Sequence, residues 1–207
     1  MVGGNRRADQ AGGATLDKDR LTAFTDGVVA VIITIMVLEL KTPHGTTLAA
    51  LLSQGPTFLS YGLSFIYVAI YWTNHHHFFS LVRRVDGAIL WANMHLLFWL
   101  SLVPFATAWL GANPTAPLPT AVYGLSLLVT ALAWFILQGV LIHVQGPGSP
   151  LKAALGRDLK GKISTCLYIA GVAAAAFNIV LADACYVAVA LMWLIPDRRI
   201  ERRLEDE

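Results

Sequence analysis

The stretch Arg20-Leu21-Thr22-Ala23-Phe24-Thr25-Asp26-Gly27-Val28-Val29-Ala30-Val31-Ile32-Ile33-Thr34-Ile35-Met36-Val37-Leu38-Glu39-Leu40 decides the fold. As an α-helix, about twenty such residues rise roughly 30 Å, enough to cross the hydrocarbon core of a bilayer. Between Asp26 and Glu39 the stretch carries no charge. Outward from it the chain keeps the same character. Of its 207 residues 56% are hydrophobic and 14% charged, against about 45–50% and about 25% in soluble domains. Mean hydropathy is +0.60. This composition excludes a disordered chain, a collagen-like chain and a coiled coil. The net charge of +2, with basic residues in short groups between apolar spans, argues against a nucleic-acid binder. Cys166 and Cys185 lie inside apolar segments and offer neither CxxC spacing nor a disulfide framework. The chain reads as an all-α integral membrane protein.

Further spans are expected at about 58–79, 86–110 and 118–144. Gly111-Ala112-Asn113-Pro114 closes the third and Gly146-Pro147-Gly148 the fourth. A short amphipathic stretch over 48–52 reads as interfacial. The apolar run 163–195 is too long for one span and short for two. Charge parity decides it. With six spans the basic groups all fall on one side, except Lys41, whereas five spans would carry the C-terminal arginines across. The reading therefore places a tight turn near Ala182-Asp183-Ala184 and both termini in the cytoplasm. Residues 1–19 read as a disordered cytoplasmic tail without a signal peptide, 20–196 as the six-helix domain, and 197–207 as a charged cytoplasmic tail. No later copy of the first span's pattern appears, so the chain is one unit and not an inverted repeat.

Ionisable groups near hydrocarbon normally face a partner or water. Arg20 and Asp26 are about 9 Å apart along the helix, so each looks to a neighbouring helix or subunit. The plainer alternative has Arg20 snorkelling and Asp26 favoured by a nearby helix N-terminus. Phe24, Gly27, Val31, Thr34, Ile35 and Leu38 share one face, with Asp26 nearly opposite. Such a stripe ordinarily meets lipid or another helix; the third use is a pore constriction that gates by dewetting. His75, His76 and His77 diverge by about 100° each and cannot close on one ion unaided, so no metal is assigned. Interhelical hydrogen bonding fits them better, with Asn93 on the third span as partner. Pro104 is expected to kink that span. Thr120-Ala121-Val122-Tyr123-Gly124 lacks the order of a potassium filter. The chain carries no Walker motif, GxSxG or paired intramembrane carboxylates, and is not read as an enzyme.

Taken together, Arg20-x-x-x-Phe24-Thr25-Asp26 followed by Val37-Leu38-Glu39 resembles the first-helix signature of the transmembrane protein 175 family. That family comprises the lysosomal potassium channel and its prokaryotic relatives. Thr25 stands where the motif usually has serine. The resemblance continues through Trp72-x-x-His75-His76-x-x-Phe79, Asn93, Pro104-Phe105-x-Thr107 and Pro196-Asp197-Arg198-Arg199.

The resemblance implies a potassium-permeable channel of a prokaryotic plasma membrane. It implies a homotetramer with first helices lining the pore, no P-loop filter, and no cofactor beyond the permeant potassium ion. Val31, Ile35 and Leu38 match the constriction, and Thr34 the selectivity position. Val31 is smaller than the Ile or Leu expected there. Arg20, Phe24, Thr25 and Asp26 match a network that holds the pore helix, with His75, His76 and Asn93 as partners. A secondary transporter moving a proton or ion past Asp26 and the histidines is the alternative. A metal-dependent intramembrane enzyme ranks third.

Overall fold

In the computed structural model, residues 5–146, 149, 151–152 and 158–194 are described, with side chains from Lys18 onward. The regular structure is helical throughout the described residues: α1 (Asn5–Leu38), α2 (Leu48–Leu52), α3 (Gly55–Ser80), α4 (Gly87–Ser101), α5 (Val103–Ala112), α6 (Pro117–Gln145), α7 (Leu159–Ala174) and α8 (Ile179–Leu194). Among the described residues three segments are long and apolar enough to cross a membrane: Lys18–Leu38, Gly87–Ala112 and Pro117–Gln145. The C-terminal tail with its arginines, Pro196, Arg157, Pro147 and Gly148 lie outside the described residues.

Local chemistry sets the boundaries. Asp86 accepts from Ile89 N at 3.0 Å, and Asp158 from Gly161 N at 3.2 Å, capping α4 and α7. Prolines occupy the first turns of α3, α5 and α6, where a missing N–H costs nothing. Pro104 breaks the third span as expected. Helix α4 stops at Ser101 and α5 restarts at Val103, because proline cannot donate back to the preceding turn. Residues Thr120 to Gly124 lie inside the continuous helix α6, so they form no extended filter.

Two expectations are corrected. The last turn lies at 175–178, not at Ala182-Asp183-Ala184. Asn178 N bonds Ala174 O at 2.7 Å, and Asn178 Oδ1 accepts from Leu181 N at 3.1 Å, so this residue caps α8. Ala182 is buried within that helix, and Asp183 is its fifth residue, past the first turn. Helix α1 also begins upstream of Arg20, at Asn5. The segment 5–19 contains no proline, and its Ala, Arg, Gln and Lys are good helix formers. Asp26 therefore lies deep in a helix, away from its N-terminus.

Helix α6 packs against α4, α5, α7 and α8, while α1 packs against α3, α4 and α5. One core joins Val29, Ile32 and Met36 of α1 to Phe78, Phe79, Leu96, Leu137 and Leu141. A second centres on Tyr67, Tyr123, Tyr168 and Tyr186. In that second core Ser64 Oγ and Tyr123 Oη are 2.9 Å apart, and Thr107 Oγ1 donates to Ser64 Oγ at 2.7 Å. Tyr67 Oη donates to Tyr186 O. These bonds satisfy hydroxyls that would be costly to bury alone.

Candidate ion pathway on the first helix

Helix α1 is apolar on both faces, and the fold uses only one. Leu21, Thr25, Val29, Ile32 and Met36 recur at helical spacing and are buried on the side where α1 meets α3, α4 and α5, Met36 to 1% exposure. The opposite face stays open: Val31 is 54% exposed, Ile35 45% and Leu38 78%. Gly27 and Thr34 are exposed beside them. In an 18-residue apolar stretch of Lys18–Leu38 only 28% is buried, against 44% for the corresponding stretch of each of the other two long spans. An open groove of about 990 Å³ runs between this face and α5. Phe24, Val31, Ile35 and Glu39 line one wall, and Pro104, Phe105 and Trp109 the other.

Thr34 is the hydroxyl on the open face. Its Oγ1 donates to Ala30 O at 3.0 Å or Val31 O at 2.9 Å. With its proton committed to the backbone, the oxygen presents only lone pairs outward.

A polar chain fixes the helix on its packed side. Thr25 Oγ1 donates to Leu21 O at 3.0 Å and accepts from Asn93 Nδ2 at 2.9 Å. Asn93 Oδ1 lies 2.9 Å from His75 Nε2, which must then be the donor. Asn93 and His75 are buried, and the His75 ring stacks on Phe79 at 4.1 Å. Helices α1, α3 and α4 are thereby joined through three side chains.

The network differs in membership from the expected one. Thr25, His75 and Asn93 come together. Asp26 and Arg20 do not join them and are exposed. Asp26 Oδ1 instead accepts from Trp72 Nε1 at 2.8 Å, and His76 stacks on that indole at 6.0 Å. Phe24 is 51% exposed and lines the groove. Among the described residues Arg20 takes no side-chain partner. The Trp72–Asp26 bond was missed by sequence reasoning. Its signal was a donor-only indole one turn before His76, with one carboxylate on the facing helix. Among the described residues no three His, Cys, Asp or Glu side chains gather as a metal site. The histidine run is divided between the buried chain and the Trp72 stack.

Residues 20–104 match the family described as endosomal/lysosomal potassium channel TMEM175. A potassium channel of a Chryseobacterium species is 52% identical over 191 residues, covering 92% of this chain and all of that one. The human endosomal/lysosomal proton channel TMEM175 is 34% identical over 103 residues, which are 44% of this chain and 20% of the human one. The crystal structure of a lysosomal potassium-selective channel TMEM175 homolog from Chamaesiphon minutus superposes with a TM-score of 0.76. The identity is 29%, covering 86% of this chain and 97% of that one. These relatives are ion channels, a class distinct from enzymes. A helix buried on one side, open and apolar on the other, on a chain matched this fully, has one reading: the chain belongs to the TMEM175 family of ion channels.

Proposed function

We propose that the chain forms a potassium-permeable channel in which four copies set the open face of α1 around one axis. Both termini face the cytoplasm of a prokaryotic cell. The observation that carries this reading is the exposure of Val31, Ile35 and Leu38 on a helix whose other side is packed. One copy offers one such face, and symmetric closure of several copies encloses a path.

Val31, Ile35 and Leu38 stand at i, i+4 and i+7, so symmetric copies stack apolar rings. An ion stripped of water in a narrow dry ring has no replacement ligands, and the path is closed. Slight widening admits water and then a partly hydrated cation. The Thr34 oxygens, with lone pairs outward, favour the ion that sheds water more readily, which is potassium over sodium. The buried Thr25–Asn93–His75 chain holds α1 in the rotation that keeps these rings aligned.

The test is single-channel recording in a planar bilayer with potassium opposed to sodium. Unitary currents reversing toward the potassium equilibrium potential are expected, with a smaller preference in Thr34→Ala. Saturable, strongly temperature-dependent flux without unitary steps would establish the transporter alternative instead. Reversal that follows the pH gradient would assign the proton, the ion named for the human relative.

A further inference from the structure

Glu39 follows the last residue of α1 and is exposed. It lines the same groove as Phe24, Val31 and Ile35, so the open apolar face ends in a carboxylate. The backbone there is held in register: Glu39 N bonds Met36 O at 3.3 Å and Leu40 N bonds Val37 O at 3.1 Å. Two facts oppose a role within the subunit. A carboxylate at a helix C-terminus adds to the negative end of the macrodipole, an unfavourable place for it. Among the described residues, no hydrogen bond or ion pair holds the side chain. The carboxylate is therefore left exposed at the end of the open face, where nothing in the subunit covers it.

We propose that Glu39 sets the conductance of the channel by forming, with its symmetry copies, a ring of carboxylates at the mouth of the pathway. The inference rests on the tetrameric reading given above. Four carboxylates and four helix C-termini then converge at one end of the apolar rings. The ring needs no contact with the ion, because its field reaches about 8 Å at physiological ionic strength. Low-dielectric walls focus such a field and raise the local concentration of cations. Lys41, exposed on the loop beyond, offsets part of it from farther along the chain. All monovalent cations feel the ring alike. It therefore governs throughput, while the choice between potassium and sodium stays with the rings below it.

The test compares unitary conductance of the parent, Glu39→Gln, Glu39→Lys and Glu39→Asp in symmetric potassium chloride of rising concentration. At low salt Glu39→Gln lowers conductance by about twofold or more, Glu39→Lys lowers it further, and Glu39→Asp matches the parent. The curves converge near 1 M, where the screening length shrinks to about 3 Å. Reversal potential in mixed potassium and sodium is the same in all four. Equal conductance of the parent and Glu39→Lys at low salt overturns the proposal. So does a loss in Glu39→Asp as large as in Glu39→Gln, which would show that shape and not charge matters. A parent that passes no unitary current refutes the channel reading itself, a separate failure.

Discussion

Asn93 is wholly buried, and both ends of its amide are used: Nδ2 donates to Thr25 Oγ1 and Oδ1 accepts from His75. An apolar side chain of similar size would leave the His75 N–H buried without an acceptor, at a cost of about 1–3 kcal/mol. The Trp72–Asp26 bond joins two side chains exposed on the subunit, so breaking it leaves no unpaired group buried in the core and costs less. Asn93→Leu is therefore expected to lower the thermal midpoint of the purified channel more than Trp72→Phe does. Fluorescence-detected size-exclusion chromatography after heating measures both, and the reverse order would contradict the network. The sequence made Thr25, His75 and Asn93 visible as polar residues in apolar spans. It did not show which of Thr25 and Asp26 meets Asn93. Neighbours on a helix point about 100° apart, so the choice between them depends on the rotation of α1 about its axis, and that rotation is fixed by packing of Val29, Ile32 and Met36.

At the level of the helix, α1 was the most legible part of the chain. Its apolar length marked it as a span, and its i, i+4, i+7 line named the face that the fold leaves open. Ile35 sits midway along that line and is the natural place to wet it. Ile35→Asn is expected to raise basal potassium flux into liposomes at matched reconstitution, because a polar ring lowers the cost of filling the constriction with water. Unchanged flux would remove this face from the pathway. The C-terminal helices were less legible. Within 163–195 the hydrophobic pattern has no interruption that outweighs the others, and Asp183 looks like a turn residue until its place inside a helix is known. Asn178 is the better mark, since its side chain caps the helix that follows. Both resulting helices are 16 residues long, about 24 Å each at 1.5 Å per residue, shorter than the hydrocarbon core is thick.

At the scale of the molecule, two cores hold the bundle among the described residues, and α1 belongs to one of them by a single side. The open side, with its groove against α5, is left uncovered by the subunit itself. Four copies are expected in native mass spectrometry from a mild detergent, with a cysteine placed at the C-terminus labelled only from inside the cell. A monomer that retains function would defeat the symmetric reading. The second core carries a different message. The Tyr186 ring fills the space where a Cβ on Gly124 or on Gly171 would stand, and its hydroxyl donates to Thr120 O at 3.2 Å. Its carbonyl accepts from Tyr67, so α3, α6, α7 and α8 meet at one residue. Positions 124, 171 and 186 are therefore not free to drift separately over evolutionary time. A lineage that enlarges either glycine has to shrink the tyrosine in company with it, because a close-packed interior has no slack to absorb the difference. Across descendants of this chain the three columns should change together, a record of the packing written in inheritance.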